Sequence, residues 1–189
     1  RQSIRNSIID MSKIPYQLDK IKAVVFDVDG VLSPTVIPLG DDGVPRRMAN
    51  LKDGYSMVLA VRAGLHLAVI SGAESPGVRE RLQNIGMTDI FLNTLDKLPV
   101  LKRWMKDNGY QPEEIAYVGD DVPDIPAMNY VGLPVSPADG SRDAIEAAVY
   151  VTDASGGHGV ARELIEEIMR AKRLWPTQKD SDTSIIANQ

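Results

Sequence analysis

The sequence predicts an α/β protein built on a doubly wound parallel sheet with helices on both faces. Short apolar runs rich in β-branched residues alternate along the chain with segments of helical periodicity. The connections are short, and glycine follows three of the helical segments, at Gly64, Gly86 and Gly109. Alternating strands and helices with short connections are typical of a parallel sheet. Glycine just beyond a helical segment is a common helix end.

Four apolar runs predict the strands. The first, at residues 21–26, is nearly continuous and stops at acidic residues and Gly30, as expected for a strand buried on both faces. The runs at 65–70, 115–118 and 132–135 have the same character. Helices are predicted at 54–63, 77–85, 98–108 and 159–175. The apolar stripe of the last helix is expected to pack against the core.

One segment interrupts the alternation after the first strand. Residues 35–39 and 44–48 flank a Gly-Asp-Asp-Gly turn, which predicts a small β-hairpin insertion, a flap over about 34–50. Its prolines, Pro38 and Pro45, are compatible only with edge strands. Two interpretations stay open, an ordinary surface hairpin or a flap that contacts another subunit.

Length and hydrophobic pattern divide the chain into three parts. The 189 residues are enough for one domain, which we expect over residues 21–175. An N-terminal extension is expected at 1–20, and the polar, aperiodic tail at 176–189 is expected to be disordered.

Composition excludes several classes of protein. Acidic residues number 26 against 21 basic ones, so neither a nucleic-acid nor a membrane partner is expected. The chain has no cysteine, which excludes disulfides, thiolate zinc sites and a cysteine nucleophile. No apolar run approaches the roughly 20 residues of a membrane-spanning helix, so we expect a soluble cytoplasmic protein.

Two acidic residues directly follow the first strand. Asp27 and Asp29 are two positions apart, so on an extended chain their carboxylates point the same way. Neighbouring carboxylates repel each other unless a cation or a proton relieves them. The pattern therefore indicates metal binding or phosphoryl transfer, while the alternative that both acids only cap the strand end stays open.

Polar residues also follow the later strands. Ser71 and Gly72 place a hydroxyl and a flexible backbone N–H after the second strand, where they suit phosphate oxygens. Lys97 begins a helix, and three acids follow the strand at 115–118, namely Asp120, Asp121 and Asp124. Alone, Ser-Gly is common in turns and a lysine is usually solvated. The ordered set is far more specific than any one member.

This ordered set resembles the four motifs of the haloacid dehalogenase (HAD) superfamily of phosphotransferases, over residues from about 21 to 174. Four stretches, at 27–32, 52–55, 116–121 and 156–163, are similar to the capless 3-deoxy-D-manno-octulosonate 8-phosphate (KDO 8-phosphate) phosphatases. The resemblance implies a Rossmann-like HAD fold and a phosphoric monoester hydrolase. It further implies a small phosphorylated sugar-acid substrate in lipopolysaccharide precursor synthesis.

The resemblance implies roles for the first motif and the metal. Asp27 would attack phosphorus to form an aspartyl phosphate, and Asp29 would act as general acid and then general base. Mg²⁺ would be bound by Asp27, the backbone carbonyl of Asp29 and Asp120.

The remaining motif residues would bind the phosphoryl group or support the metal. By the same resemblance, Ser71 and the Gly72 amide would hold phosphoryl oxygens, and Lys97 would offset charge on the phosphoryl group and Asp27. Asp121 or Asp124 would support the metal ligands and Lys97.

The resemblance also implies a homotetramer. Hairpins like the one at 35–48 would meet at its centre, and Gly156, Gly157 and His158 would close the active site of a neighbouring subunit. The alternative for these glycines is a flexible loop before the last helix, and His158 has the alternatives of solvent or substrate contact. His66, in a strand pattern, is expected to be structural.

The chain departs from the family pattern at two places. Ala73 stands where these phosphatases usually carry arginine after Ser-Gly, and Arg81, or else Arg79, is the expected substitute. Ser-Pro at 33–34 replaces the more usual Thr-Asp. A phosphatase of a nine-carbon keto-deoxy sugar acid is therefore an open alternative.

A non-enzymatic module similar to response-regulator receivers fits less well, because Ser71 follows the strand where receivers carry the phosphorylated aspartate.

Overall fold

The structure is a computed structural model, and it describes residues 12–176. The outer part of the expected N-terminal extension, at 1–11, and the expected disordered tail from 177 onward lie outside the described residues.

Six parallel strands form one sheet in the order β3-β2-β1-β4-β5-β6. The central strand β1 pairs with β2 and β4, and Phe26, its last residue, lies beside Val69 on one side and Val118 on the other. The carboxyl ends of these three strands therefore meet at one edge of the sheet. The predicted doubly wound α/β class is confirmed. The strand bounds are Ala23–Phe26 for β1, His66–Ile70 for β2, Asp89–Phe91 for β3, Ile115–Val118 for β4, Leu133–Ser136 for β5 and Tyr150–Val151 for β6.

Within residues 12–176, six α-helices connect the strands or follow them. Four match the predicted helices, and α2 and α3 end at Gly86 and Gly109, whose φ angles of 99° and 71° are left-handed. α1 begins earlier than predicted because the Asn50 side chain caps it, accepting from the amides of Lys52 and Asp53. The helix bounds are Leu51–Arg62 for α1, Pro76–Ile85 for α2, Lys97–Asn108 for α3, Ile125–Met128 for α4, Arg142–Ala147 for α5 and Val160–Ala171 for α6.

The helices bury both faces of the sheet. Val24 and Phe26 point into a core shared with α1, α2 and α6, whereas Val25 points to the opposite face with α3, α4 and α5. The expected core packing of the α6 stripe is confirmed, since Leu164 and Ile168 are both 0% exposed. No helix within residues 12–176 has the length and hydrophobicity required to cross a bilayer.

The insertion after β1 forms a short hairpin. The Arg46 amide donates to the Pro38 carbonyl at 2.8 Å, and Leu39 and Pro45 form a single antiparallel bridge. A longer ladder is disfavoured because Pro38 and Pro45 lack an N–H group. Apolar side chains on this hairpin are exposed, at 88% for Val36 and 70% for Leu39.

Candidate active site

The loops at the carboxyl edge of the sheet surround a cavity of about 560 Å³. The three central strands end at this edge, so residues distant in sequence meet here. The lining includes Asp27, Asp29, Arg47, Ser71, Gly72, Glu74, Lys97, Asp120, Asp121 and Asp124.

A buried lysine joins two of the carboxylates. Lys97 Nζ donates to Asp27 Oδ2 at 2.6 Å and to Asp124 Oδ1 at 2.7 Å, and its side chain is 4% exposed. Burial alone would lower the pKa of Lys97, but the two carboxylates outweigh it and raise the pKa. Lys97 is therefore a fixed positive charge at the base of the cavity.

Asp124 is held by several donors. Tyr117, fully buried in β4, donates its hydroxyl to Asp124 Oδ1 at 2.8 Å. The Asp120 amide donates to Asp124 Oδ2 at 3.0 Å. With Lys97 as a third donor, Asp124 is oriented as a support for its neighbours. The resemblance offered Asp121 or Asp124 as the support of Lys97, and Asp124 is the one that contacts it.

Three carboxylates in the cavity fit a divalent cation. Oxygen atoms of Asp27, Asp120 and Asp124 all lie within 4.8 Å of one another. Burial, followed by the charge of Asp124, raises the pKa of Asp27 to about 6 and that of Asp120 to about 7. Hard carboxylate oxygens that repel one another suit Mg²⁺, which would relieve the repulsion.

Gly30 allows the loop after β1 to approach Asp120, which follows β4. Its φ is +77°, and a Cβ atom at this position would lie 1.9 Å from Asp120 Oδ2. Any side chain here would displace the Asp120 carboxylate from the cluster. This contact explains why glycine follows Asp29.

Asp29 is held by an arginine that the sequence did not single out. Arg47 Nε donates to Asp29 Oδ1 at 2.8 Å and Arg47 Nη2 donates to Oδ2 at 2.9 Å, a bidentate pair. Arg47 lies in the second half of the hairpin, after the turn. The only available signal was an Arg-Arg pair on a hairpin inserted directly after the first motif.

Ser71 and Gly72 after β2 and Asp121 after β4 supply further lining. Ser71 is 1% exposed at the end of β2, and its Oγ accepts from the Ala73 amide at 3.2 Å. Gly72 is exposed and lines the cavity beside it. Asp121 also lines the cavity, but it is exposed and its Oδ1 accepts from the Val122 amide at 2.8 Å.

The structure does not bring the expected substitute arginines to this cavity. Arg81 lines a second cavity of about 410 Å³ between the hairpin, α1 and α2, with its guanidinium against Gly54. Arg79 donates to the Ile90 carbonyl at 3.2 Å. Arg81 is five residues into α2, about 8 Å along the helix from its start, which carries it away from Ser71 and Gly72.

The glycine run before α6 packs on its own subunit. A Cβ atom at Gly156 would lie 2.0 Å from the Gly30 carbonyl oxygen, and the Gly157 amide donates to the Val31 carbonyl at 2.8 Å. His158 Nδ1 lies 2.8 Å from the Gly156 carbonyl oxygen, so this side chain turns back on its own loop. Within this chain, both glycines contact the loop that follows Asp29. That Gly156, Gly157 and His158 close a neighbouring subunit's site stays a prediction.

His66 lies at the opposite end of its strand from the cavity. It is the first residue of β2, with Nδ1 2.8 Å from the Tyr110 hydroxyl and Nε2 2.5 Å from Asp89 Oδ2. Trp104 donates to the same carboxylate at 2.8 Å. The expected structural role of His66 is confirmed.

Fold and cavity together define a class of protein, the HAD-like hydrolases. A carboxylate pair after the central strand, a hydroxyl after the next strand, a buried lysine and a second acidic group all converge at one edge of the sheet. The family model for haloacid dehalogenase-like hydrolases matches residues 82–164.

Comparisons with known proteins narrow the class. The chain is 34% identical over 154 residues to the 3-deoxy-D-manno-octulosonate 8-phosphate phosphatase KdsC of Escherichia coli K12, covering 82% of each. It superposes with a TM-score of 0.78 and 31% identity on the Moraxella catarrhalis phosphatase solved with magnesium, phosphate and KDO, covering 88% and 92% of the two chains. On the cobalt-bound Haemophilus influenzae phosphatase, the chain superposes with a TM-score of 0.82 and 30% identity. The match covers 88% of this chain and 99% of that one.

The chain belongs to the family of 3-deoxy-D-manno-octulosonate 8-phosphate phosphatases, and it is a phosphoric monoester hydrolase. This membership overturns the alternative of a non-enzymatic phospho-acceptor.

Proposed function

We propose that this chain is a Mg²⁺-dependent phosphatase that converts KDO 8-phosphate to the free sugar acid and phosphate through an aspartyl phosphate. The observation that carries the proposal is the cluster in which Lys97 joins Asp27 to Asp124 while Asp120 lies beside them. The Moraxella relative, solved with magnesium, phosphate and KDO, supports the choice of ligands.

Asp27 is the proposed nucleophile. One of its carboxylate oxygens attacks phosphorus, a bond forms between that oxygen and phosphorus, and the bond from phosphorus to the sugar oxygen breaks. Asp27 Oδ1 accepts from the Val28 amide at 2.6 Å and Oδ2 accepts from Lys97, so the carboxylate is held in one orientation before the substrate arrives.

Asp29 transfers the protons in both halves of the reaction. It gives a proton to the departing sugar oxygen, and then takes one from the water that attacks the aspartyl phosphate and restores Asp27. Asp29 is partly exposed at the cavity, with its side chain 46% accessible, so the leaving oxygen and the water can both reach it.

The remaining residues neutralise negative charge, bind the phosphoryl group or support the loop after β4. Lys97 offsets the negative charge of Asp27 and the phosphoryl oxygens, which Ser71 and the Gly72 amide bind. Mg²⁺ held by Asp27, Asp120 and the Asp29 carbonyl would supply electrostatic stabilisation of the phosphoryl oxygens when bound. Asp124 and Asp121 keep the loop after β4 in place.

The nucleophile is tested by Asp27→Asn. This substitution should lower kcat for KDO 8-phosphate roughly ten-thousand-fold because the amide is a poor nucleophile. Phosphate release measures it, with circular dichroism as the check on folding. Asp107→Asn, on the exposed side of α3, makes the same chemical change away from the cavity and should keep full activity. A folded Asp27→Asn enzyme with normal turnover would contradict the proposal.

A second substrate is favoured by one observation. Ala73 removes the arginine that usually follows Ser-Gly in the octulosonate phosphatases, and neither Arg79 nor Arg81 replaces it at the cavity. A nine-carbon keto-deoxy sugar acid phosphate is the corresponding candidate. Comparing kcat/KM for the eight- and nine-carbon substrates decides between them, and a higher value for the nine-carbon substrate would displace KDO 8-phosphate.

Homotetramer formation through the hairpins is part of the proposal. The hairpin and the start of α1 leave large apolar side chains exposed, which in a soluble protein usually marks an interface. They are Val36, Leu39, Val44, Met48, Leu51 and Tyr55. Light scattering at micromolar concentration should give four times the chain mass, and a monomer would contradict the assembly.

A further inference from the structure

Arg47 is placed in the cavity by the fold of the hairpin. The Met48 amide next to it donates to Ser33 Oγ at 3.0 Å, and Ser33, 1% exposed, belongs to the loop after Asp29. The base of the hairpin is therefore tied to the first motif. The Arg47 side chain is only 12% exposed and ends on both oxygens of Asp29.

Among the residues that line the cavity, Arg47 is the cation best placed to bind an anionic substrate. Two cations lie among the lining residues, and Lys97 is already committed to Asp27 and Asp124. An anionic substrate that enters must find positive charge beyond that of a metal ion. Arg47 is the one lining cation whose partner is not deeply buried. The lining carboxylates number six, namely Asp27, Asp29, Glu74, Asp120, Asp121 and Asp124.

The geometry of the Arg47 pair is one that a substrate can reproduce. A guanidinium binds any carboxylate through the same two parallel hydrogen bonds. A sugar acid carries such a carboxylate besides its phosphate, so it can replace Asp29 on Arg47 with no loss of hydrogen bonds. Asp29, at 46% side-chain exposure, can then be hydrated or can face the leaving oxygen.

We propose that Arg47 is a specificity-determining residue that binds the carboxylate of the sugar-acid substrate, and that Asp29 occupies it until the substrate takes its place. This inference rests on the proposed function and deepens it. Arg47 would then take over the binding of the substrate carboxylate, since Ala73 stands where these phosphatases usually carry an arginine. It also links recognition to chemistry, because both Asp29 oxygens accept hydrogen bonds from Arg47 until the substrate carboxylate withdraws the guanidinium.

The test compares a carboxylated substrate with one that lacks the carboxylate. Steady-state kinetics of Arg47→Ala and Arg47→Lys are measured in the Mg²⁺-loaded enzyme with KDO 8-phosphate and with p-nitrophenyl phosphate. The matched control is Arg46→Ala, since Arg46 is the adjacent arginine but its guanidinium pairs with Asp42 at 2.7 Å outside the catalytic cavity. Circular dichroism verifies that each variant is folded.

Arg47→Ala should lower kcat/KM for KDO 8-phosphate roughly 100-fold, mainly through KM, because a charged bidentate contact is lost. Activity on p-nitrophenyl phosphate should rise by about twofold or more, because the substitution frees Asp29 from the guanidinium and this substrate has no carboxylate that could do so. Arg47→Lys should recover part of the loss, and Arg46→Ala should match wild type on both substrates. Free KDO should also inhibit p-nitrophenyl phosphate hydrolysis less in Arg47→Ala than in wild type.

Two results would overturn the inference. Equal losses on both substrates would make Arg47 a structural or general catalytic residue, and unchanged kinetics on both would remove it from recognition. Failure of the proposed function has a different pattern, since it appears in the wild type as hydrolysis of p-nitrophenyl phosphate without turnover of KDO 8-phosphate. That pattern would overturn the assignment of Arg47 as well.

Discussion

Single residues set the electrostatics of the catalytic cavity. Lys97 separates Asp27 from Asp124, and without its ammonium group two buried carboxylates would face each other. Tyr117 adds a hydroxyl donor to Asp124 from inside β4. In the sequence Tyr117 is one more apolar-strand residue, and only the position of Asp124 explains why a hydroxyl is needed there.

Asp53 is a buried carboxylate outside the catalytic cavity. It is 2% exposed in the first turn of α1, and its Oδ1 accepts from the Arg162 amide at the start of α6 at 2.8 Å. Its Oδ2 is buried without a hydrogen-bond partner among the described residues. Burial raises the pKa of Asp53 to about 6, although the Arg162 amide opposes the rise.

Asp53→Asn should stabilise the protein at high pH. The pKa of Asp53 is higher in the folded state, so stability is lost as pH rises from about 3.8 to about 6 and the whole penalty applies above that. The substitution should raise the free energy of unfolding by about 1 to 3 kcal/mol at pH 8 and change it little at pH 4. Urea unfolding measures both values. The surface substitution Asp107→Asn should show no such difference, and an equal effect of Asp53→Asn at the two pH values would contradict the prediction.

Among the elements, α6 connects the core to the first motif. Its buried stripe packs beside α1, and the loop before it, through Gly156 and Gly157, supports Gly30 and Val31. A loss of packing in α6 is therefore transmitted to the loop that carries Asp29. Helical periodicity predicted this stripe, whereas β3 and β6, with three and two residues, are too short to give a periodic signal.

Leu164→Ala should destabilise the fold. Leu164 is 0% exposed, so its truncation leaves a cavity and should cost about 2 to 5 kcal/mol of unfolding free energy. Leu174→Ala is the matched control, because Leu174 is 44% exposed and should cost less than about 1 kcal/mol. Chemical denaturation compares the two. Similar losses for both leucines would show that the α6 stripe is not part of the cooperative core.

At the scale of the whole molecule, sheet topology assembles the cavity. β1 lies between β2 and β4, so Asp27, Ser71 and Asp120 follow three adjacent strands although they are far apart in sequence. The arrangement concentrates negative charge. Because burial and neighbouring carboxylates raise the pKa of Asp27 and Asp120, their ionised forms reduce the stability of the metal-free protein as pH rises through about 6 and 7.

Mg²⁺ should therefore raise the melting temperature more at pH 8 than at pH 5.5. The cation binds the ionised carboxylates and stabilises the folded state by mass action, and at pH 5.5 protons compete for Asp27 and Asp120. Thermal unfolding followed by circular dichroism, with and without excess Mg²⁺, gives the comparison. Asp120→Asn should remove most of the increase at pH 8. An increase independent of pH, or one retained in Asp120→Asn, would contradict this site.

Local sequence patterns were enough to predict the α/β class, four of the six strands found within residues 12–176, and the order of polar residues at their ends. These features are local, since strand runs, glycine helix ends and residue spacing can be read over a few positions. The family resemblance that these residues carry implied that Lys97 would offset charge on Asp27, with Asp121 or Asp124 as its support. The hairpin was predicted from its turn, but its direction relative to the cavity was not.

The contacts between other distant residues could be found only from the folded chain. Arg47 returns to Asp29 across the hairpin, Arg81 lies in a second cavity, and Gly156 contacts Gly30 of the same chain. Each of these contacts depends on the path of a connection through space, which residue spacing does not specify. Periodicity places a side chain on one face of an element, while packing between elements decides which residues that face meets.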